Sequence, residues 1–384
     1  MKFSVLLPTR NGGNFLEDCI LSILEQNYTD MELVISDNAN TDQTSEIIRK
    51  FADDPRVKTL RLETAVSVTD NWNNALEASV GEYVLMMGDD DYLLPGYFQR
   101  MENLLQKYNQ PDCVVHNAYS YIAPGSISGN PHSFYSESHF TFERDLVTEC
   151  LLTPEQRSGI VRDMFDFKVR IPLNMQTTLV AREAFNKTGN GRFQKPFPDH
   201  YALNALLLTA PNWVFSPEKF LVVGVSPKSF GHYIYSNKQS SGLGYLGITT
   251  DFAGRLPGNE LMNGMYTWLG LIKTNYAELL EGVQINRAGY VRRQFYAWFM
   301  QLRLGTISRV DFLRNLKLLS FADWVGLAAT VFDRASWTRL LRGVFSRGRK
   351  TEAEAQWSAL RPLRGVANIR QFGEWLERRN GVSK

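Results

Sequence analysis

The sequence has 384 residues, of which 44% are hydrophobic and 21% are charged, and its formal net charge is +2. This composition is ordinary for a soluble globular protein, and the length allows two or three folding units with a core in each. A charge so close to zero gives no indication of a polyanionic partner such as nucleic acid. The cysteines Cys19, Cys113 and Cys150 form no CxxC pair and are odd in number, which favours a reducing, cytoplasmic compartment.

Neither a signal peptide nor a membrane-spanning helix is expected. The apolar run 3–7 ends at Pro8, which is too short for a signal peptide and favours a buried strand. A spanning helix needs roughly 20 consecutive apolar residues. The nearest stretch, 318–332, is interrupted by Asp323.

The first part of the chain, up to about residue 90, alternates between strand and helix patterns. Short apolar runs predict strands, and segments with apolar residues at helical intervals predict the helices between them. This alternation indicates right-handed βαβ units and a parallel sheet. The predicted strands are 3–7, 32–35, 57–62 and 83–87, and the predicted helices start at Asn14, cover 41–51 and start at Asp70.

The pattern becomes less regular after Asp91. A segment rich in Ser, Gly, Pro and His, 123–140, is predicted to be an exposed loop. From about residue 259 onward only helical patterns occur, and their Trp and Tyr residues are predicted to be core. The other predicted elements are a helix at 95–108 and strands at 113–122, 177–180 and 220–225.

Polar residues follow three of the predicted strands. Pro8 to Asn11 comes after the first strand, Ser36 to Asn38 after the second, and Gly88 to Asp91 after the fourth. In an open parallel sheet the carboxyl ends of the strands form the ligand crevice, so these segments are predicted to share one rim. Asp and Asn also favour turns, and a plain loop would explain any one of the segments, but it explains all three less well.

Asp89, Asp90 and Asp91 are the most distinctive feature of this rim. Adjacent carboxylates repel one another, and at a half-buried strand end they would be costly without a counter-charge. Mg²⁺ or Mn²⁺ supplies that charge, and it typically bridges one or two carboxylates to the phosphates of a substrate. The alternative is a solvated acidic turn. The common rim favours the metal site.

The order and spacing of these motifs resemble the family 2 glycosyltransferases of the GT-A fold. The segment 3–11 is similar to their opening strand, 32–44 to their second strand with its acidic turn, and 73–91 to the stretch leading into their Asp-x-Asp motif. The resemblance implies an α/β fold with a Rossmann-like, mostly parallel sheet. This sheet would bind a nucleoside-diphosphate sugar together with Mn²⁺ or Mg²⁺, and our hypothesis is that the nucleotide is UDP. The resemblance further implies an inverting reaction. The Gln-x-x-Arg-Trp motif of processive synthases is not found, which favours transfer of a single sugar.

The resemblance also implies roles for individual residues. Thr9 and Asp37 would contact the nucleotide base, Asp89 would lie near the ribose, and Asp91 would bind the metal. The sequence departs from the family where Asn38 replaces the second acidic residue of the turn and where Gly88 replaces a common first Asp. The residues predicted to bind the nucleotide sugar are Pro8, Thr9, Asn11, Asp37, Asn73, Asp89 and Asp90.

The acceptor side is predicted from a second resemblance, over 177–185 and 191–193. In the family an acidic residue then opens a further helix, and here it is Asp199, which would be the general base. An N-cap is the alternative role for Asp199, and His200 is expected to face elsewhere because neighbours on a helix diverge. In the next loop His232 is predicted as a third metal ligand, against a plain surface histidine, and Lys228 as a phosphate contact.

These expectations define the predicted domains. A GT-A catalytic domain covers 1–250, with a nucleotide-sugar-binding half at 1–122 and an acceptor-side half at 123–250. A helical C-terminal region covers 251–384. From 334 to 384 the chain has twelve basic and four acidic residues, a net charge of 12 − 4 = +8. Apolar residues at helical spacing among them fit an anionic membrane surface on the cytoplasmic face, where a lipid-linked glycan acceptor would be found. A helix packed on the catalytic domain is the alternative.

Two other functions compete with sugar transfer to a glycan or lipid-linked glycan. A sugar-phosphate nucleotidyltransferase uses a similar sheet, but it should wrap a triphosphate with a Gly-rich loop after the first strand. This chain has too few glycines there. A non-catalytic nucleotide-sugar-binding protein is the second alternative, and the retained Asp-x-Asp pattern and Asp199 argue against it.

Overall fold

A computed structural model describes residues 1–127, 131–137, 146–168, 174–189, 192–227, 251–329 and 360–379. Its described strands form one mixed sheet, and the parallel half of this sheet is built from the N-terminal segment. The order there is β3-β2-β1-β4, and all three pairings are parallel. This confirms the predicted alternation. The bounds are β1 (Phe3–Thr9), β2 (Met31–Asp37), β3 (Val57–Arg61) and β4 (Tyr83–Met86).

The register of the parallel strands brings their carboxyl ends to one edge. Thr9 of β1 is opposite Asp37 of β2, and Asp37 is opposite Arg61 of β3. β1, β2 and β4 are buried on both faces, as expected for a sheet covered by helices on each side. The predicted common rim is therefore present in the structure.

The other half of the sheet is mostly antiparallel. The strand β9 lies antiparallel between β4 and β6, while β10 runs parallel to β6 with a register shift between Ser216 and Leu221. The strand β7 lies within the segment that was predicted to be only a loop. The bounds are β5 (Tyr92–Leu93), β6 (Cys113–Ile122), β7 (Ser133–Ser136), β8 (Cys150–Leu151), β9 (Thr178–Ala181) and β10 (Trp213–Val225).

Helices cover both faces of the sheet, and their apolar sides form two large cores. The N-cap residues of two helices differ from the predicted ones. Phe15, rather than Asn14, is the N-cap of α1, and Ser67, rather than Asp70, caps α3 by accepting the Asp70 N–H. The bounds are α1 (Leu16–Leu24), α2 (Thr44–Arg49), α3 (Val68–Ala78), α4 (Tyr97–Lys107), α5 (Pro154–Phe165), α6 (Arg182–Lys187) and α7 (Pro198–Thr209).

The C-terminal helices extend the core on the α7 side of the sheet. Trp268, Tyr290 and Trp298 are at most 1% exposed, which confirms that these aromatic residues belong to the core. The first two helices of this region pack against each other through a buried network in which the Tyr290 hydroxyl donates to Asn263. The bounds are α8 (Glu260–Asn275), α9 (Arg287–Leu304), α10 (Arg309–Leu316), α11 (Phe321–Ala329) and α12 (Ile369–Arg379).

The segment 360–379 returns to the sheet. A short strand, β11 (Arg361–Leu363), pairs antiparallel with β7, which corrects the expectation of helices alone after residue 259. Phe372 of α12 is fully buried against Tyr121 and Tyr135 of the sheet. The described part of the basic tail is thus packed on the sheet. The apolar residues of the predicted membrane helix, Trp337, Leu340, Leu341, Val344 and Phe345, lie outside the described residues.

Within the described ranges, no helix is long and apolar enough to cross a membrane. The predicted domain boundary near 250 falls between described segments and stays a prediction.

A buried histidine makes the stability of this fold depend on pH. His116 is 1% exposed between the rings of Tyr97 and Phe220, and burial lowers its pKa to about 4. Between pH 6.5 and 4 the unfolded chain binds a proton that the native state does not, so the free energy of unfolding falls as the pH falls through this window. In urea unfolding at several pH values, we expect His116→Gln to reduce that slope.

The exposed His132 provides the matched control, and His132→Gln should keep the wild-type slope. An unchanged pH dependence in His116→Gln would contradict this explanation.

Candidate active site

Asp37 organises the turn that follows β2. Its Oδ1 accepts hydrogen bonds from the backbone and side-chain N–H groups of Asn40, and its Oδ2 accepts from Ser45 at 2.8 Å and from Arg61 at 3.0 Å. The side chain is buried. Four donors already satisfy this carboxylate, which favours a role in shaping the turn. Direct contact of Asp37 with a base stays a prediction.

The segment after β1 is tied to both neighbouring turns. Pro8 is opposite Ser36 in the parallel register. Asn11 has φ of 54°, a left-handed conformation that Asn tolerates, and its side chain accepts the Thr41 N–H at 2.9 Å. The Asn11 N–H in turn donates to the side chain of Asn40. These residues therefore shape the rim between β1 and β2.

Thr9 joins the β1 end of the rim to the acidic segment. Its hydroxyl donates to Asp89 Oδ2 at 2.6 Å. A Cβ on Gly12 would lie 2.0 Å from the same oxygen and 2.8 Å from the Thr9 hydroxyl, so a larger residue there would displace this pair. Thr9 and Gly12 thus meet Asp89, which is 80 positions from Thr9 in the chain, as predicted for the rim.

Asp91 has a different environment from its two acidic neighbours. It is 1% exposed, its Oδ2 accepts the Gly88 N–H at 2.6 Å, and its Oδ1 accepts the Gly224 N–H at 2.9 Å. Burial and the nearby Asp90 raise its pKa well above the ordinary value, while the two backbone N–H groups act in the opposite direction. Asp91 thus fastens the acidic loop to β10, which argues against its predicted role as the metal ligand.

Asp89 and Asp90 are half-buried at this edge, and they remain the carboxylates that suit a divalent cation. Among the described residues, no group of three or more His, Cys, Asp or Glu side chains could hold a metal ion alone. Mg²⁺ usually takes only one or two carboxylates and completes its ligands with phosphates and water. The donor set therefore fits an ion that binds together with a diphosphate.

The acidic loop depends on a close approach to Gly224. A Cβ at this position would lie 1.7 Å from the Asp90 carbonyl oxygen, so Gly224→Ala must displace either β10 or the loop. We expect this variant to lose both stability, measured by urea unfolding, and donor turnover.

Gly159 in α5 is the matched control, because a Cβ added there would have no neighbour within 4 Å. Gly159→Ala should keep turnover and gain about 0.5–1 kcal/mol of stability. Wild-type stability and turnover in Gly224→Ala would show that the loop is not constrained in this way.

Asp199 lies in the first turn of α7. The N-cap of this helix is Phe197, with φ of 60°, and Pro198 comes next, so Asp199 is not the N-cap. Its carboxylate is 27% exposed, which leaves it accessible to an acceptor. The N-terminal end of a helix favours the ionised form of a carboxylate.

His200 faces Asp199, contrary to the expectation from helical geometry. His200 Nε2 lies 3.7 Å from Asp199 Oδ2. The imidazole stacks on Phe197, with ring centroids 5.6 Å apart, and meets the Trp268 ring edge-on at 6.0 Å. Phe197 has a left-handed backbone conformation and stacks on His200, features that helical periodicity does not reveal.

Asn73 connects the nucleotide half of the domain to the segment before Asp199. Its side chain donates to the Phe193 carbonyl at 3.1 Å and accepts the Phe193 N–H at 3.3 Å. The predicted contact of Asn73 with the nucleotide sugar stays a prediction. A cavity of about 630 Å³ adjoins this connection, and the sequence patterns did not single it out. Its polar lining includes Asp70, Asn73, Asn74, Arg192 and Gln194.

His232 and Lys228 lie outside the described residues, so their predicted contacts with a metal and a phosphate stay predictions.

A parallel sheet with clustered carboxylates and polar turns at its carboxyl edge is the arrangement of an α/β nucleotide-binding protein. Comparison with known proteins narrows this broad class of nucleotide-binding proteins to one family. Residues 4–165 match the model of the glycosyl transferase family 2. This matched segment, which contains the parallel half of the sheet and its acidic edge, is therefore a family 2 glycosyltransferase domain.

Related proteins have glycosyltransferase names. Glycosyltransferase GlyG of Streptococcus pneumoniae is 26% identical over 55% of this chain and 67% of its own length. The GalNAc(5)-diNAcBac-PP-undecaprenol beta-1,3-glucosyltransferase of Campylobacter jejuni is 36% identical over 28% of this chain and 35% of its own length. This chain thus spans about two thirds of the first relative and one third of the second.

A solved structure of Staphylococcus aureus TarS 1–349 with UDP is also similar, with a TM-score of 0.47 and 18% identity. The similarity covers 82% of this chain and 89% of that one.

Proposed function

We propose that this protein transfers a single sugar from a nucleoside-diphosphate sugar, UDP-linked in our hypothesis, to a glycan or lipid-linked glycan acceptor. The meeting of Thr9, Asp89 and Asp90 at the carboxyl edge of a family 2 domain is the observation that carries the proposal. The Campylobacter relative, whose name specifies a diphospho-undecaprenol acceptor, supports a lipid-linked acceptor.

The rim would bind the donor through its nucleotide and diphosphate. Thr9 and Asp89 would lie at the nucleoside, and Pro8, Asn11 and Asp37 would shape the pocket for the base. Asp89 and Asp90 would hold Mn²⁺ or Mg²⁺, which would stabilise the negative charge that grows on the leaving diphosphate. This assignment gives Asp90 the metal-binding role that the sequence suggested for Asp91.

Asp199 would act on the acceptor. A sugar hydroxyl is a poor nucleophile until a carboxylate takes its proton as the new bond forms. In an inverting transfer the hydroxyl attacks the anomeric carbon opposite the departing diphosphate, so the base must lie on the acceptor side. Asp199 is proposed as this base because its carboxylate is accessible at the start of α7, where the family pattern has an acidic residue.

Thermal unfolding with a panel of nucleotide sugars, each with Mn²⁺, tests the proposed donor. A nucleoside-diphosphate sugar at 100 times its Kd should stabilise the protein by about 2.7 kcal/mol. A nucleoside triphosphate that stabilises the protein more strongly than every nucleotide sugar would favour a sugar-phosphate nucleotidyltransferase. Binding of a nucleotide sugar without any turnover would favour a non-catalytic binding protein.

A further inference from the structure

The helices α10 and α11 and the link between them carry an exposed apolar surface. These residues are distant in sequence from the proposed donor-binding rim. Twelve large hydrophobic side chains are exposed in the described residues, and six of them fall within 310–325. Phe321 is the most exposed of all, at 85%. The α10–α11 apolar face consists of Val310, Leu313, Leu318, Phe321, Trp324 and Val325.

The inner sides of α10 and α11 pack against the rest of the protein. The exposure of the outer face is therefore not a result of unfolded helix ends. Asp323 is buried, and its carboxylate pairs with the Arg287 guanidinium at 3.1 and 3.2 Å. Phe312 packs against Phe295 of α9, with ring centroids 6.3 Å apart. These contacts fix which side of α10 and α11 faces outward.

The exposed charges around the face are predominantly positive. Arg309, Arg314 and Lys317 are the exposed cations of 309–329, and Asp311 is the one acidic side chain of this stretch that is partly exposed. Both acidic residues of this stretch are paired, Asp311 at the surface, where its side chain is 45% exposed, and Asp323 in the interior. Asp311 closes a capping box with Ser308 and pairs with Arg314, and Asp323 is buried in its ion pair with Arg287.

We propose that the α10–α11 apolar face docks this protein on an anionic lipid surface. Helices in the plane of a membrane combine Trp, Phe and Leu on one side with Lys and Arg at the rim, which is the pattern found here. Exposed aromatic and aliphatic side chains would enter the interfacial region, and the cations would meet anionic headgroups. The surface differs from the basic tail that the sequence suggested, because it lies before residue 330.

The inference adds a partner to the proposed transferase and brings it to a lipid-linked acceptor. It does not depend on catalysis, since vesicle binding is measured without donor. Failure of sugar transfer and failure of docking are therefore separate results.

Co-sedimentation of the full chain with vesicles tests the proposal. Phosphatidylcholine vesicles with and without phosphatidylglycerol supply anionic and neutral surfaces. The wild-type protein should bind the anionic vesicles in a salt-sensitive manner. The double variant Phe321→Ser, Trp324→Ser should bind about tenfold or more weakly because it loses two interfacial aromatic side chains. Arg314→Gln, Lys317→Gln should weaken binding to the anionic vesicles only.

Leu279→Ser is the matched control, because Leu279 is 57% exposed and lies outside the face. It should bind like the wild type, and every variant should keep wild-type turnover of donor without vesicles. Equal binding by Leu279→Ser and the aromatic double variant would overturn the proposal.

If the wild-type protein does not bind vesicles, either of two further results would overturn the proposal and identify another occupant of the face. A change from dimer to monomer in the aromatic double variant, measured by light scattering, would mean that a second copy covers the face. A clear loss of thermal stability in that variant would mean that another segment of the chain covers it.

Discussion

Asp199→Asn is expected to lower kcat by about 10²–10⁴-fold, the usual contribution of a general base. Asparagine keeps the shape of the side chain but cannot accept the proton of the acceptor hydroxyl. The carboxylate lies in the first turn of α7 and is accessible, so its loss should not disturb the fold. Donor binding, measured by calorimetry with Mn²⁺, should change little.

His200 offers a control for this experiment. His200→Gln changes the neighbour of Asp199 but leaves the carboxylate, so it should reduce kcat less than Asp199→Asn does. A near-wild-type kcat in Asp199→Asn would reject Asp199 as the base and move the search to Glu183, Asp163 or Asp166. Those alternatives are less suitable, because Glu183 pairs with Lys187 while Asp163 and Asp166 pair with Lys168.

Asp90→Asn is expected to abolish metal-dependent donor binding while the free energy of unfolding stays close to that of the wild type. Asp91→Ala should also abolish activity, but through the fold. It leaves the buried N–H groups of Gly88 and Gly224 without their acceptor, at a cost of about 1–3 kcal/mol for each. Urea unfolding and calorimetry with Mn²⁺ on both variants separate the two roles.

Excess EDTA should remove activity from the wild-type protein. Full activity in EDTA would contradict metal dependence altogether. An Asp91→Ala variant that unfolds like the wild type and has lost only metal binding would return the ligand role to Asp91.

The sequence predicts the parallel half of the sheet well, because its physical signals are local. The strands β1, β2 and β4 are short, mainly apolar runs, and each is followed by polar turn residues at its carboxyl end, whereas β3 is a mixed edge strand. The predicted segments 3–7, 32–35, 57–62 and 83–87 all fall on observed strands. Since parallel strands align their carboxyl ends, the common rim could also be predicted.

Features that depend on distant partners could not be predicted in this way. The strand β11 has three residues and no alternating pattern, and it forms only because β7 offers a free edge. The second N–H that binds Asp91 comes from Gly224, 133 positions away. One signal was available in the sequence: Gly88 occupies the place of the first family Asp, which favours a motif at 88–90 over the predicted Asp89-x-Asp91.

Release of nucleoside diphosphate from a panel of nucleotide sugars tests the central claim most directly. The assay compares wild-type protein with Mn²⁺, wild-type protein with EDTA, and Asp199→Asn with Mn²⁺, each with and without a glycan acceptor. The account predicts that one donor is consumed by the wild-type protein with Mn²⁺, faster with acceptor, and that both other arms lose this acceleration. Absence of release from every donor, or equal release in all three arms, would contradict it.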